Sequence, residues 1–379
     1  MLRLSDIGIL ADDLTGACDV AACFAPVAGA VSVLVSGKDR DFKAAQSLEV
    51  INTQSRPMPA EAGRALLILM GARLANKPVL FKKIDTALRG AVGAELEGLI
   101  EAIGPRRIVV APALPRIGRT TRGGIQYANG VPIHETAFSS DSTWPVASAD
   151  IAEVIRKTGS IQFNVRDAET DSDLLRIVDE YLDGSDVVFV GSLGLADALS
   201  TRIEKAAVDR MDIRRSSRPM IACGSQYGRT LVQIETAASD SGAEVVTFDP
   251  GRTFRPERVS PKTGRPLVLR IAGQSNEPAA RQPSEILSGF IAAVVGMIET
   301  IRPDGLGVVG GQTAYHLMSQ LGVSRLTIDG RMDEVIAHGV MVDGTMAGCP
   351  IATKGGSVGD NNAVVQMFEY LMNPGGVHW

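Results

Sequence analysis

Aromatic residues and cysteines are scarce in this sequence, and each scarcity excludes a class of protein. Aromatic residues make up only 4% of the 379 positions, which argues against the stacking surfaces that bind single-stranded nucleic acid. The four cysteines are Cys18, Cys23, Cys223 and Cys349, and they form neither a CxxC pair nor a cluster with histidine. We therefore expect no structural zinc site and no disulfide framework.

The sequence also lacks the charge and the long apolar runs of nucleic-acid-binding and membrane proteins. Its formal net charge is −5, from 38 basic and 43 acidic residues, so no global positive field favours nucleic acid or an anionic membrane surface. No apolar run of about 18 residues is uninterrupted, and the N-terminus reaches an acidic pair before any signal-like apolar stretch. These absences predict a cytoplasmic protein without nucleic-acid or membrane partners.

Short runs rich in β-branched residues alternate with helical patterns along the chain. Examples are IGIL before residues 15–25, VLFKKI before 91–103 and MIACG before 229–239, an alternation typical of parallel-sheet α/β architecture. A charged stretch at 204–219 has no apolar period and ends in proline, which indicates a domain boundary. The sequence therefore predicts two Rossmann-like α/β domains with mainly parallel sheets and a cleft between them, covering 1–205 and 218–379 with a linker at about 206–217.

Four glycines near the C-terminus, in DGLGVVGGQT, raise the question of a dinucleotide-binding fingerprint. Gly305, Gly307 and Gly310 match G-x-G-x-x-G by letters, but the first two precede or interrupt an apolar run instead of following it. Only Gly310 and Gly311 lie where a strand-to-helix turn is expected. Such a turn can point backbone N–H groups at an anion, most naturally a phosphate. The alternative is that two glycines simply permit a tight turn.

Two further glycine-rich stretches resemble phosphate-binding turns. The stretch IACGSQYGRT has one residue too few for the Walker A template and carries Arg229 in place of its lysine. The stretch ATKGGSVGDNN ends a predicted strand in Lys354 and two glycines, and this lysine can serve phosphates as a point charge. We expect Asp360 or Asn361 to cap the last helix.

An acidic pair follows the first predicted strand. Asp12 and Asp13 fall at the carboxyl end of IGIL and precede a helical pattern. Adjacent carboxylates in that place can orient a hydroxylated substrate, and one of them can act as a general base. The alternative is helix capping, for which Asp and Thr15 are both suited.

A basic and acidic set follows in FKKIDTALRG. Strand periodicity places Lys83 and Asp85 on one face, and Arg89 precedes a predicted helix. This set suits a small polyhydroxy carboxylate, because Arg89 can hold a carboxylate with two parallel hydrogen bonds while Asp85 accepts from hydroxyls. The alternative is a structural Asp85–Arg89 pair at the start of the helix. Residues 112–144, which follow later, form a long connection without clear periodicity, and the three arginines within it suit either a solvated loop or an anion-steering lip.

Seven stretches, in this order, resemble the family of four-carbon acid sugar kinases. They are ADDLTGA at 11–17, NTQSR at 52–56, KIDTALRG at 83–90, GRTTRGGIQYANGVPIHET at 118–136, GSLGLA at 191–196, GGQT at 310–313 and KGGSVGD at 354–360. The resemblance implies a kinase that uses ATP and Mg²⁺. Its N-terminal domain would bind a small-molecule sugar acid (threonate, erythronate or 3-oxo-tetronate), and its C-terminal domain would bind the nucleotide.

The resemblance also implies which residues form each site, with Asp13 or Asp85 as the catalytic base. The sugar-acid site would contain Asp12, Asp13, Arg56, Lys83, Asp85 and Arg89. The nucleotide site would contain Ser225, Gly310, Gly311, Gln312, Thr313, Lys354, Gly355 and Gly356. Gln312 stands where the family usually has an aspartate. The sequence does not identify the metal ligands, and it leaves a homodimer open.

Two other functions fit parts of the pattern. One is a hydroxy-acid dehydrogenase, which would need the glycine fingerprint that is misplaced at 305–310. The other is a non-catalytic sugar-acid binding protein with two α/β lobes, which would bind one ligand and turn over nothing.

Overall fold

The computed structural model describes residues 2–36, 48–141, 144–184, 186–206, 213–259, 261, 264–272 and 282–373. The chain divides into two compact units, Met1–Asp209 and Arg210–Trp379. The central part of the predicted linker, residues 207–212, lies outside the described residues. The predicted α/β class with mainly parallel sheets is confirmed in both units.

Helices cover a parallel sheet in the N-terminal unit. Its strands lie in the order β2-β3-β1-β4-β10-β5-β9, and every neighbouring pair among them is parallel. These strands are β1 (Ile7–Ala11), β2 (Val31–Leu34), β3 (Glu49–Asn52), β4 (Val79–Lys83), β5 (Arg107–Ala111), β9 (Asn164–Val165) and β10 (Val187–Gly191). The helices are α1 (Leu14–Ala28), α2 (Ala60–Ala72), α3 (Val92–Ile103), α4 (Ile151–Arg156), α5 (Asp171–Tyr181) and α6 (Leu193–Ser200).

Burial on both faces explains why the strands are apolar at most positions, with the two lysines of β4 as exceptions. Every residue of β1, β4 and β10 is buried, as expected for parallel strands covered on both faces. Helices α2 and α3 pack so closely that a Cβ at Gly98 would lie 2.2 Å from the carbonyl oxygen of Arg64. A glycine is therefore needed at that crossing.

The long connection at 112–144 contains more structure than the sequence predicts. It forms a small antiparallel sheet of β6 (Arg119–Arg122), β7 (Ile125–Ala128) and β8 (Val131–Pro132), flanked by short 3₁₀ turns. The absence of a long period is explained by tight turns at residues 123–124 and 129–130, where φ is positive. Strands of two to four residues are too short to give a clear periodic signal.

The C-terminal unit carries a mixed sheet in the order β12-β13-β11-β14-β17-β16-β15. The first five strands are parallel, and β17, β16 and β15 pair antiparallel. The strands are β11 (Pro219–Cys223), β12 (Glu244–Phe248), β13 (Leu267–Ile271), β14 (Gly305–Val309), β15 (Arg325–Met332), β16 (Ile336–Met341) and β17 (Pro350–Lys354). The helices are α7 (Gly228–Asp240), α8 (Pro283–Ile301), α9 (Gly311–Gln320) and α10 (Ala363–Met372).

Helix α8 is unusually apolar. Within the described ranges it is the one helix long and apolar enough to cross a membrane by length and composition, with a mean hydropathy of 1.6. Core helices of globular domains pass the same test. In this structure one face of α8 packs inside the C-terminal unit. The Phe290 ring of that face lies edge-on to Phe248, with 5.9 Å between the ring centroids.

Candidate functional site

The polar site of the N-terminal unit follows three neighbouring strand ends. Ala11 of β1 is in register with Asn52 of β3 and with Lys83 of β4. Residues 12–13, 53–56 and 84–85 therefore leave the sheet at the same edge, where open α/β sheets bind ligands.

Arg56 joins the turn after β3 to the acidic pair after β1. Its Nε donates to Oδ2 of Asp12 (2.9 Å), and its Nη2 donates to Oδ1 of Asp12 (2.8 Å) and to Oδ1 of Asp13 (2.6 Å). Burial alone would raise the pKa of Asp12, but the charges of Arg56 and Lys82 outweigh it and hold that pKa below its usual value. Asp12 is therefore an ionised carboxylate with both oxygens bound by one guanidinium, a strong bidentate geometry.

Asp13 caps α1. Its Oδ1 accepts from the backbone N–H of Gly16 (3.1 Å), and its Oδ2 accepts from the hydroxyl of Thr15 (2.7 Å). Both oxygens are engaged, so the capping alternative weighed from the sequence is present in the structure.

Arg89 lies between two carboxylates. Its Nε donates to Oδ2 of Asp85 (2.6 Å) and its Nη1 donates to Oδ2 of Asp141 (2.8 Å), while the guanidinium carbon lies 5.5 Å from the centroid of the Phe138 ring. Burial raises the pKa of Asp85, but the charges of Arg89 and Arg56 lower it far more, so this carboxylate stays ionised. The structural Asp85–Arg89 pair is thus present, and two edges of the arginine fork already hold protein carboxylates.

Asp141 is a site residue that sequence reasoning missed. It lies in the segment interpreted as a long loop, 52 residues from Arg89. No motif surrounds it, so the sequence offered no signal for this contact.

Lys83 presents a buried cation that has no hydrogen-bond or ion-pair partner among the residues that the structure describes. Its side chain is only 5% exposed, and within the described part of the chain its ammonium makes no hydrogen bond or ion pair. A Cβ placed on Gly16 would lie 2.9 Å from Lys83 Nζ and 2.4 Å from Oδ1 of Asp13. The Lys83 charge also lowers the pKa of both Asp12 and Asp85. The ammonium therefore lies among the site carboxylates, and no described residue accepts a hydrogen bond from it.

The neighbouring lysine was also missed. Lys82 Nζ lies 2.6 Å from Oε2 of Glu95 on α3, and the two side chains are 0% and 1% exposed. Burial raises the pKa of Glu95 above its ordinary value even though the Lys82 charge lowers it. A lysine within a fully buried strand requires such a partner, and this requirement was the signal available in the sequence.

Three strand ends also meet in the C-terminal unit. Val309 of β14 is in register with Cys223 of β11 and with Lys354 of β17. The turn after each strand is glycine-rich and packs on another: a Cβ at Gly224 would lie 2.0 Å from Oγ1 of Thr313, and a Cβ at Gly356 would lie 2.4 Å from Oγ of Ser225. Gly305 and Gly307 lie inside β14, so the letters of the dinucleotide fingerprint do not form its turn.

Backbone N–H groups line these turns. The N–H groups of Ser225, Gln226 and residues 355–359 have no acceptor among the residues that the structure describes. Gly310, with φ +111°, precedes α9, whose first N–H groups have no partner within the helix. Converging free N–H groups and a helix N-terminus form a site for an anion such as phosphate.

Lys354 is placed differently from its predicted role as a phosphate-binding point charge. Its side chain is 0% exposed, and Nζ donates to the carbonyl oxygens of Gly355 (2.8 Å) and Val358 (2.9 Å). The buried ammonium holds the loop that follows it. The predicted cap of α10 is wrong, because the helix begins after Asn362 without a side-chain cap bond. Asp360 accepts from the backbone N–H of Asn362 (2.8 Å) instead.

Across the described ranges, no group of three or more His, Cys, Asp or Glu residues is placed to hold a metal ion. Mg²⁺ that accompanies a nucleotide needs only one or two carboxylates, because the phosphates supply the other ligands.

Comparison with known proteins agrees with this two-unit geometry. Residues 7–163 match the model of a sugar-binding N-terminal domain, and residues 220–364 match that of a nucleotide-binding C-terminal domain. The D-threonate kinase of Salmonella typhimurium is 26% identical over 96% of this chain and 97% of its own length. The D-erythronate kinase of Heliobacterium modesticaldum is 26% identical over 97% and 98%.

Solved structures share the fold. A Salmonella typhimurium protein described as a tRNA synthase has a TM-score of 0.76 at 18% identity, over 95% of this chain and 98% of its own. A Haemophilus influenzae protein has a TM-score of 0.68 at 16% identity, over 96% and 98%. Identities this low support the fold alone.

The two matched domain models, one sugar-binding and one nucleotide-binding, and the kinases among the relatives define a two-domain α/β kinase. The chain belongs to the family of four-carbon acid sugar kinases, so the resemblance predicted from its sequence is confirmed. The dehydrogenase alternative loses its basis, because the glycines that suggested it are strand residues.

Proposed function

We propose that this protein transfers the γ-phosphoryl group of ATP to a hydroxyl of a four-carbon sugar acid: threonate, erythronate or 3-oxo-tetronate. The acid binds the N-terminal unit, proposed as residues 1–205, and the nucleotide with its Mg²⁺ binds the C-terminal unit, proposed as residues 218–379. The observation that carries the proposal is the Lys83 ammonium, which is buried among ionised carboxylates and has no partner within the described residues. A small acid with several hydroxyls complements both charges.

Lys83 is the cation that we propose meets the carboxylate of the acid. Arg89 was predicted for this role, but its fork already binds Asp85 and Asp141. Arg56 is similarly bound by the acidic pair. These two arginines therefore hold the site carboxylates in place. Lys83 supplies the positive charge that complements the carboxylate of the substrate.

Asp85 is the proposed general base. Both oxygens of Asp13 are engaged by hydrogen bonds from its own helix turn. Only Oδ2 of Asp85 has a hydrogen bond within the described residues, and it comes from Arg89. Oδ1 of Asp85 can accept from the substrate hydroxyl, orient it and take its proton as the new P–O bond forms and ADP departs. Because a loose transition state needs positioning more than strong base catalysis, an ionised carboxylate that orients the hydroxyl is sufficient for this role.

The nucleotide phosphates are proposed to bind the N–H groups of Ser225 and residues 355–359 and the N-terminus of α9 after Gly310. Gly311, Gln312 and Thr313 form the first turn of that helix, and Gly355 and Gly356 belong to the loop. Fixed backbone dipoles stabilise the charge that develops during transfer without reorganisation.

An assay of ADP release tests the proposal. Purified protein is supplied with Mg·ATP and each of D- and L-threonate, D- and L-erythronate and their 3-oxo forms. We expect ADP only in the presence of one or more acids and Mg²⁺, with kcat reduced about 100-fold or more by Asp85→Asn and less by Asp13→Asn. Folded protein that releases no ADP with any acid would contradict the proposal, and acid binding without turnover would favour the two-lobed binding protein.

The proposal implies a cytoplasmic enzyme, because ATP is available there. A homodimer stays a prediction, which size-exclusion chromatography with light scattering can check.

A further inference from the structure

Helix α7 presents three donor side chains to residues 355–360, here called the glycine loop. Arg229 Nη1 donates to the carbonyl oxygen of Gly359 (3.0 Å), and Thr230 Oγ1 donates to that of Gly356. Gln233 Nε2 donates to the carbonyl oxygens of Val358 (3.2 Å) and Asp360 (2.6 Å). Thr230 and Gln233 are 0% exposed, so these contacts are buried.

These donors and Lys354 bind nearly all the carbonyl groups of the glycine loop. Lys354 Nζ donates to the carbonyls of Gly355 and Val358. The side chains of α7 donate to those of Gly356, Val358, Gly359 and Asp360. In a planar trans peptide the carbonyl of one residue and the N–H of the next point in opposite directions. Holding the carbonyls of Gly355, Gly356 and Val358 toward these donors therefore turns the N–H groups of the next residues, at 356, 357 and 359, away from the donors.

The N–H groups of residues 355–359 are the ones without acceptors among the described residues. Thr230 also lies 3.0 Å, Oγ1 to Oγ, from Ser225 in the turn after β11. One buried threonine thus links two of the three turns proposed to bind the nucleotide.

We propose that Thr230 and Gln233 are positioning residues for the nucleotide: they hold the carbonyls of the glycine loop so that its N–H groups face the phosphates. Neither side chain contacts the nucleotide in this arrangement. The inference rests on the proposed kinase function and deepens it, because it names the side chains behind the phosphate site. Arg229 contributes in the same way from a more exposed position.

The test uses the full-length protein and titrates ADP by calorimetry without acid. Thr230→Val keeps the shape of the side chain and removes the donor, and Gln233→Met does the same for the amide. We expect each to raise the Kd for ADP about three- to tenfold, the effect of losing one or two hydrogen bonds. Thr230→Ser retains the hydroxyl and should restore the wild-type Kd. Thr236→Val, at a half-buried threonine of the same helix whose hydroxyl donates only to the Val232 carbonyl, serves as the matched control.

Kinetics separate positioning from general damage. A positioning role predicts a higher KM for ATP, an unchanged KM for the acid and rescue by Thr230→Ser. An unchanged Kd for ADP in folded Thr230→Val and Gln233→Met, or an equal rise in both KM values with a lower melting temperature, would overturn the inference. If either variant fails to fold, Arg229→Met must show the same selective change, and no change there would overturn it. A wild-type chain that binds no ADP would instead overturn the kinase proposal itself.

Discussion

The Nζ of Lys82 lies 2.6 Å from Oε2 of Glu95 in the interior of the N-terminal unit, with both side chains almost completely buried. Two charges in that position cost desolvation energy that only their mutual attraction offsets. The pair lies close to the candidate site, because the Lys82 charge lowers the pKa of Asp12 and the Asp12 charge raises the pKa of Glu95. It therefore couples the core of this unit to its candidate site.

Removing one member of this pair should destabilise the protein more than removing both. We expect Glu95→Gln and Lys82→Met each to lower the free energy of unfolding of the N-terminal unit by about 3–5 kcal/mol, because each leaves one buried group unpaired. The double variant should recover a large part of that loss. Urea denaturation of the four proteins gives the coupling energy, and additive losses would show that the two charges do not depend on each other.

Lys83→Met should weaken binding of the acid while leaving the fold intact. The ammonium makes no hydrogen bond or ion pair within the described residues, so its replacement breaks no polar bond among them, and methionine keeps most of the buried side-chain volume. A charge-assisted hydrogen bond contributes about 1.5–3 kcal/mol, so we expect the KM for the acid to rise about tenfold or more and the KM for ATP to stay constant. The control is Lys77→Met, which removes a half-buried lysine whose Nζ donates to the carbonyl of Ser5. Equal KM values for the acid in wild type and Lys83→Met would remove Lys83 from the site.

Acidification should destabilise the N-terminal unit partly through Asp85. Burial raises the pKa of this carboxyl, but Arg89 and Arg56 hold it well below its ordinary value. A depressed pKa contributes stability that is present above the unfolded-state pKa of about 3.9 and is lost as pH falls through the folded-state pKa. The melting temperature of Asp85→Asn should therefore fall less than that of the wild type between about pH 5 and pH 3. Parallel curves for the two proteins would contradict the low pKa.

Gly310→Ala should selectively weaken binding of the nucleotide. Gly310 has φ +111° at the start of α9, a conformation that costs a residue with a Cβ about 1–3 kcal/mol. Relief of that strain would move the turn, so we expect the KM for ATP to rise about tenfold. Gly348→Ala is the matched control, since Gly348 has φ +76° in the same unit and open space around its Cα. Similar KM values for ATP in both variants would show that the turn at Gly310 has only a structural role.

Much of the fold was predictable because its signals are local. Strands such as VVFVG and helices such as α3 can be predicted from the periodicity of their apolar residues and from the turn residues beside them, and both signals depend only on residues that are close in sequence. The small sheet at 119–132 was not predictable, because its strands have two to four residues and its turns rely on left-handed backbone at Asn129 and at glycines.

The sequence by itself determined the α/β class, the family and the strand ends at which polar residues gather, since those follow from periodicity and from ordered motifs. Only the tertiary structure decided which charges are already used. In the folded chain Arg89 binds Asp141, 52 residues away, and the Lys354 ammonium binds carbonyl oxygens of the loop that follows it. Lys83 has no hydrogen-bond or ion-pair partner among the described residues. Hydrogen bonds and ion pairs act over a few ångströms between elements that are remote in the chain. Whether a cation is free for a substrate is therefore a property of the packed molecule.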